Sequence, residues 1–310
     1  MPSRSTTTTD SEQRDALLTG AGVLDRTASS TRIEHRGADA LDLLHRLTTN
    51  DLLSMADGDA RQTVFCSEKG RVIGVFTVLR RDAGNLMLTV DSADARRLFE
   101  AIDHYTIIED AELKDVSSEA AHFAVVGPDS EKVIQAAAVD DATVIRHSWP
   151  ASMQRMDVIV PAGERDAALN ALQQAGAIPV SPEAWDLVRI ERGIPSIDAE
   201  LDDRSNPLEA GLEDLINFEK GCYIGQEVVA RLDTYDKLQR RLVGLRSAKQ
   251  LSPGADLTAD GRNVGRVTSS TISPEFGPIA LAYVRKGNWN PGTSLDANGT
   301  PATVTSLPFA

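Results

Sequence analysis

The chain has 310 residues, a formal net charge of −14 and two cysteines. A surface this acidic argues against nonspecific binding to nucleic acid or to anionic membranes, because both need basic patches. Two cysteines are too few for a disulfide framework and are typical of a protein in a reducing compartment. The longest apolar runs, such as Val72–Leu79, have the length of a strand, so we expect no membrane span.

The first fifteen residues are rich in Ser and Thr and contain no apolar core of the kind that a secretory signal has. Polar segments of this composition bury too little apolar surface to offset the entropy lost on folding. We therefore predict a disordered tail over residues 1–15 and a cytoplasmic location.

Apolar periodicity along the next 160 residues predicts helices alternating with strands. The predicted elements are helix 38–47, strands 72–79 and 86–90, helix 93–103, strand 122–126, helix 130–138, strand 156–160 and helix 164–174. The second half of this series alternates strands and helices in the same way as the first, although no strict sequence repeat is present. Such an order is typical of an α+β region built from two related lobes.

A further helix is predicted from Ser181 to about Arg192. Ser181 suits the N-cap, Pro182 the first helical position, and Gly193 the stop. The apolar face of this helix carries one acid, Glu191, which therefore points inward. Three interpretations are open: an ion pair with a neighbouring arginine, a solvated helix end, or a carboxylate that accepts two N–H bonds from a flat heterocycle such as a pterin.

Residues 220–227 read Lys-Gly-Cys-Tyr-Ile-Gly-Gln-Glu. A thiolate is the reactive form of cysteine, and a nearby ammonium such as that of Lys220 favours it. A free cysteine is most often a buried core residue, but the polar neighbours of Cys222 weigh against that interpretation. No second Cys or His lies within a few residues, so this is not a metal-site spacing.

Beyond residue 240 helical periodicity ends and short β-rich pieces alternate with Gly, Pro and Asn turns. The predicted strands are 241–245, 264–269, 279–284 and 303–307. This pattern predicts a small antiparallel barrel or sandwich. We therefore divide the chain into a tail (1–15), an α+β region of two lobes, possibly discontinuous (16–240), and a C-terminal β-barrel (241–310).

The segment 220–231, KGCYIGQEVVAR, closely resembles the signature of the YgfZ family of folate-binding proteins, which are relatives of the glycine-cleavage T-protein, an aminomethyltransferase. Further segments resemble the T-protein superfamily in the same order, so that the likeness covers nearly the whole chain from about residue 20. These segments are 21–27, 32–52, 189–201, 206–227, 261–284 and 307–309.

The resemblance implies two ferredoxin-like lobes and a C-terminal barrel around a central tetrahydrofolate site. In the T-protein the Glu of an Arg-x-Glu-x-Gly segment holds the pterin, and the matching residues here are Glu191 and, before it, Arg189. Cys222 and Lys220 match the Cys and Lys of the YgfZ signature and are the expected reactive pair. The other expected site residues come from the same signature: Gly221, Tyr223, Gly225, Gln226, Glu227 and Arg231.

One departure from the T-protein bears on activity. T-proteins carry an Asp pair after a Gly-x-hydrophobic-hydrophobic stretch, whereas the corresponding run here, Gly70–Val75, contains no acid. Without that carboxylate the aminomethyl transfer lacks its general acid or base. YgfZ-type proteins are instead associated with the maintenance of iron–sulfur enzymes, including radical enzymes that modify tRNA.

Three functional hypotheses follow. The first is a folate-dependent accessory protein for iron–sulfur cluster assembly or repair, whose partners are assembly proteins or client enzymes and which makes no direct contact with nucleic acid or membrane. The second is a folate-dependent aminomethyltransferase in which another group, such as Asp51, handles the proton. The third is a scaffold that binds folate without turning it over.

The remaining chemistry-bearing residues give weaker signals. The five histidines show no ligand spacing, and His45 and His104 fit surface or core-edge positions. Cys66 ends an apolar run and is expected in the core. Asp198 could line the site, but an acid in a turn is the more ordinary interpretation.

Overall fold

A computed structural model describes residues 9–197, 199–234 and 237–310. The chain divides into two compact units, each assembled from segments that are distant in sequence. The first unit comprises residues up to 28 together with 117–188, and the second comprises 29–116 together with 189–310. Asp198 of the sequence analysis and residues 1–8 of the predicted tail lie outside the described residues.

The helices in chain order are α1 (Asp10–Thr19), α2 (Ala40–Leu47), α3 (Arg96–Tyr105), α4 (Ser130–Ala137), α5 (Arg165–Gln174), α6 (Pro182–Arg192) and α7 (Gln226–Thr234). The strands are β1 (Gly22–Asp25), β2 (Thr31–Arg36), β3 (Ala60–Cys66), β4 (Val72–Asp82), β5 (Asn85–Val90), β6 (Glu112–Asp115), β7 (Ala120–Val126), β8 (Thr143–His147), β9 (Arg155–Pro161), β10 (Ile178–Pro179), β11 (Arg240–Ser247), β12 (Asp256–Ala259), β13 (Arg262–Ser273), β14 (Gly277–Arg285), β15 (Ser294–Ala297) and β16 (Thr300–Thr305). None of the helices in the described ranges is long and apolar enough to cross a membrane.

The first unit is built on a five-stranded sheet in the order β10-β1-β7-β9-β8. The β1–β10 pair is parallel and the other pairs are antiparallel. Alternate residues of β7 and β9, among them Phe123 and Val158, face a core that also contains Val133 of α4 and Leu172 of α5. Both helices therefore pack on one face of the sheet, as the period-2 pattern of the strands requires.

The second unit contains an antiparallel sheet in the order β3-β4-β5-β2-β6. Helices α2 and α3 cover one face, where Leu44 and Ile102 pack with Phe65 of β3 and Leu88 of β5. The unit also contains a closed barrel of six strands in the order β11-β14-β13-β12-β15-β16. Closure leaves no free sheet edge, and apolar residues such as Leu245 and Leu257 fill its interior.

The predicted fold class, α+β with a C-terminal antiparallel β-barrel, is confirmed. The predicted helix 181–192 is also present: the Ser181 hydroxyl accepts a hydrogen bond from the Ala184 amide at 3.1 Å, and Gly193 adopts a positive φ of 70°. A β carbon at Gly193 would lie 2.7 Å from that of Leu307, so this turn admits only glycine.

The structure differs from the predicted tail over residues 10–15, which lie within α1. Thr9 and Glu12 form a capping box, because the Thr9 hydroxyl accepts from the Glu12 amide while the Glu12 carboxylate accepts from the Thr9 amide. The buried side chains of Ala16 and Leu17 supply the apolar contact. Reciprocal capping and two buried residues are enough to order a segment whose composition alone suggests disorder.

A buried histidine in the β2–β5–β6 part of the second unit makes its sheet sensitive to acid. His35 is fully buried, and neither ring nitrogen has a hydrogen-bond partner among the described residues. Burial lowers the pKa of His35 to about 4, from 6.5. Protons therefore bind the unfolded chain more readily than the folded one between these values, and stability falls as the pH is lowered from 6.5 to 4.

We expect His35→Leu to remove this acid sensitivity. By linkage, lowering the pH from 7 to 4.5 should reduce the free energy of unfolding of the native protein by about 2–3 kcal/mol more than that of the variant. The measurement is urea unfolding at both pH values, with the exposed His104→Leu as the matched control. Equal pH dependence of all three proteins would contradict the assignment.

Candidate functional site

The predicted pterin-binding acid lies in the last turn of α6. Glu191 is 2% exposed, in agreement with its position on the apolar face. Its Oε1 accepts a hydrogen bond of 2.6 Å from the hydroxyl of Ser273, at the end of barrel strand β13. The Ser273 oxygen in turn accepts from the amides of Glu275 and Phe276, at 3.1 and 2.9 Å. These two bonds direct the hydroxyl proton to the carboxylate, and so Glu191 has a fixed orientation.

Arg189 belongs to a buried hydrogen-bonded ring. Its guanidinium donates to Glu200 at 3.1 Å and to the Ser269 hydroxyl at 2.8 Å, and Ser269 donates to the other oxygen of Glu200 at 2.6 Å. All three residues are at most 6% exposed. These contacts attach the end of α6 to β13, and the predicted role of Arg189 in cofactor binding stays a prediction.

Lys220 binds the C-terminal end of α2. Its ammonium donates to the backbone carbonyls of His45, Thr48 and Asn50, the last two at 2.6 and 3.0 Å. Carbonyls at a helix C-terminus lack partners within the helix, and a cation there is favourable. Burial lowers the pKa of Lys220 to about 8. The sequence predicts Lys220 as an activator of the thiol; the contacts found are those of a helix cap.

Cys222 is exposed. It lies in a shallow depression of about 510 Å³ that is lined by residues of 220–224 and of α2: Gly221, Cys222, Tyr223, Ile224, His45 and Arg46. Cys66, at the end of β3, is fully buried, and burial raises the pKa of its thiol to about 12. Of the two thiols, only that of Cys222 is therefore available for chemistry at neutral pH.

The sequence predicts a surface or core-edge position for His45, and the structure places it in the lining of the same depression as Cys222. Its Nδ1 accepts the Leu52 amide at 3.2 Å, which puts the proton of the neutral ring on Nε2. Burial and the Lys220 ammonium lower the pKa of His45, and Asp51, 3.5 Å from Nδ1, opposes them. The depression thus combines a thiol with an imidazole N–H donor. No spacing rule could pair residues 177 positions apart.

The other predicted signature residues have different roles. Tyr223 is buried, and its hydroxyl has no hydrogen-bond partner within the described part of the chain. A β carbon at Gly225, where φ is 83°, would lie 2.5 Å from the Ser67 carbonyl, whereas one at Gly221 would meet nothing within 4 Å. Gln226 begins α7, and Glu227 and Arg231 are exposed on it. The signature thus combines a steric requirement, a helix start and one exposed thiol.

The described contacts place the predicted site residues in two groups. Glu191 and Arg189 are held by the barrel strand β13, whereas Lys220 and residues 221–224 are held against α2. The run Gly70–Val75, which carries no acid, leads into β4. Asp51, the alternative proton carrier, has its pKa lowered by bonds from Ser54 and by the charges of His45 and Arg61, which outweigh its slight burial.

We expect Lys220→Met to lower the free energy of unfolding by about 1–3 kcal/mol, because three carbonyls lose their donor. The exposed Lys249→Met in the barrel is the matched control and should change it by less than about 0.5 kcal/mol. The pKa of Lys220 is about 8 in the folded state and 10.5 in the unfolded one. The free energy of unfolding of the native protein should therefore increase relative to that of Lys220→Met as the pH rises from 8 to 10. Urea unfolding at pH 7 and pH 9.5 measures both effects. Equal stability of the two variants would refute the capping role.

The chain matches two family models that together cover most of its length. Residues 3–160 match the GCVT N-terminal domain, and residues 240–310 match the glycine cleavage T-protein C-terminal barrel domain. The second match coincides with the six-stranded barrel that begins at Arg240.

Individual relatives agree with these matches. The chain is 31% identical over 297 residues to a protein of Arabidopsis thaliana named as a putative transferase, chloroplastic, covering 89% of this chain and 68% of the relative. It is 31% identical over 300 residues to the aminomethyltransferase of Geobacillus kaustophilus, covering 88% of this chain and 82% of that enzyme.

The fold has a close counterpart of known structure. The crystal structure of the glycine cleavage system aminomethyltransferase T from Bartonella henselae superposes with a TM-score of 0.84 over 96% of this chain and 88% of that one, at 20% identity. That likeness concerns the fold, and the sequence matches identify the family. By its two domain matches and its relatives, the chain belongs to the glycine cleavage T-protein family.

Proposed function

We propose that the protein binds tetrahydrofolate through Glu191 and acts through Cys222 as an accessory protein for iron–sulfur cluster assembly or repair, in the manner of YgfZ proteins. Its partners would be assembly proteins or client enzymes, and its effect on tRNA modification would be indirect. The observation that carries the proposal is the buried carboxylate of Glu191, held in a single orientation by Ser273.

Glu191 fits a pterin on chemical grounds. A carboxylate has two oxygens and about four acceptor positions, which suits a paired contact to the N–H edge of a pterin. Charge-assisted bonds of this kind are short and strong, and burial strengthens them further. When bound, tetrahydrofolate would supply a carrier for one-carbon units. The chain's own contribution is to orient the ring through a fixed acceptor.

Cys222 supports the second half of the proposal. Its thiol is exposed in a depression where His45 offers an N–H donor and Arg46 a cation. Hydrogen-bond donors and cations are the groups that bind anionic sulfur species. Attack on a one-carbon adduct, exchange with a sulfur species and transient binding of iron all use a cysteine sulfur. These three roles stay open.

A second candidate function is aminomethyl transfer, which the names of several relatives favour. The run Gly70–Val75 argues against it, since it lacks the acid that the T-protein has there. Formation of methylene-tetrahydrofolate from an aminomethylated carrier protein would favour this candidate over the first.

We expect tetrahydrofolate to bind saturably and Glu191→Gln to weaken binding by about 10–100-fold, because the variant loses a charge-assisted contact while retaining the size of the side chain. Glu183→Gln, an exposed acid in the first turn of the same helix, should leave the dissociation constant unchanged. Intrinsic fluorescence, to which Trp185 on α6 contributes, follows the titration. Equal binding by Glu191→Gln and the native protein would exclude Glu191 as the pterin acceptor.

We expect Cys222→Ala to abolish the rescue of iron–sulfur enzyme activity in cells that lack the native protein. Cys66→Ala is the matched control and should preserve rescue at equal protein level, because that thiol is buried and protonated. Full rescue by Cys222→Ala, together with intact folate binding, would favour the third hypothesis, a folate-binding scaffold without thiol chemistry.

A further inference from the structure

A basic pocket lies in the second unit at the junction of β4, residues 204–209 and the ends of β11 and β14. It has a volume of about 440 Å³ and is lined by five cations and one carboxylate: Arg71, Arg204, Arg240, Arg285, Lys286 and Glu209. A second carboxylate, Asp202, pairs with Arg204 at 2.5 Å. The described lining therefore holds more cations than carboxylates, on a chain whose net charge is −14.

Two of these guanidinium groups are fixed close together. Arg71 and Arg240 both donate to the Arg204 carbonyl, at 2.7 and 2.5 Å, and both reach the same oxygen of Glu209, at 3.4 and 3.0 Å. Glu209 is 5% exposed. One buried carboxylate thus holds two cations side by side, and the ion pairs found in the described part of the chain give these two arginines only Glu209 to share.

The ring of Tyr283 fixes Arg240 further, because the guanidinium lies 4.3 Å from the ring centroid. The Tyr283 hydroxyl donates to the Glu200 carbonyl at 2.9 Å, so the ring itself is anchored. A guanidinium with a fixed plane loses little entropy when it binds a second planar or tetrahedral anion. The pocket is therefore preorganised for an anionic ligand.

We propose that this pocket binds a small multivalent anion, with two or more phosphate or carboxylate groups within reach of Arg71, Arg240 and Arg285. Five N–H donors on each arginine match the oxygens of such groups in pairs. The volume accommodates a small molecule. A long nucleic acid is disfavoured, because its phosphates would extend beyond about one Debye length, roughly 8 Å, from the pocket of a chain whose net charge is −14.

The proposal is independent of the folate site and is tested without folate. Isothermal titration of the full-length native protein with tripolyphosphate, and separately with citrate, should give saturable binding that weakens with added KCl. Arg285 is exposed on β14 and has no side-chain partner among the described residues, so Arg285→Ala should fold normally. We expect this variant to bind about 5–20-fold more weakly.

The control is Arg262→Ala, an exposed arginine at the start of barrel strand β13 that does not line the pocket. It should leave affinity within about twofold of native. Binding of tripolyphosphate alone would identify a phosphorylated ligand, and binding of citrate alone a polycarboxylate; either result supports the site. No binding of either anion at millimolar concentration, or equal weakening by both variants, would overturn it. So would a single-stranded oligonucleotide that displaces tripolyphosphate at lower concentration.

Discussion

The second unit depends on the buried ion pair between Arg189 and Glu200. Two charges removed from water are tolerable only when every oxygen and N–H finds a partner, and Ser269 closes the ring between them. This requirement attaches the last turn of α6 to β13. The same strand ends at Ser273, which orients Glu191. Loss of one partner of such a pair typically costs about 3–5 kcal/mol, so the orientation of the candidate pterin acceptor rests on a contact that is itself difficult to disrupt.

Backbone contacts explain much of the composition of the signature 220–227. Gly225 must approach the Ser67 carbonyl, and Lys220 must satisfy carbonyls at the end of α2. Residues between them are thereby held against α2, with Cys222 outside and Tyr223 inside. Most of the signature thus serves to present one thiol on a rigid support. The requirements on this signature therefore come from backbone geometry as much as from chemistry.

Charge is distributed unevenly over the molecule. The acidic composition predicts that the surface as a whole repels polyanions, yet composition averages over positions. Arginines from positions 71, 204, 240 and 285 converge only when β4, β11 and β14 assemble, and this produces a local positive field that a net charge of −14 conceals. Under the anion-pocket proposal, the selection of a small anion over a long one follows from this uneven distribution of charge.

The sequence by itself determined the fold class, the helix from Pro182 to Arg192 and the inward direction of Glu191, because periodicity, caps and glycine stops are local signals. It also singled out Cys222 and Lys220, but it did not predict the backbone carbonyls that Lys220 contacts or the position of His45. Only the tertiary structure decided that Ser273 holds Glu191 and that His45 lies beside Cys222. These partners are 82 and 177 positions apart, and contacts over such separations are set by how helices and strands pack, which no local pattern encodes.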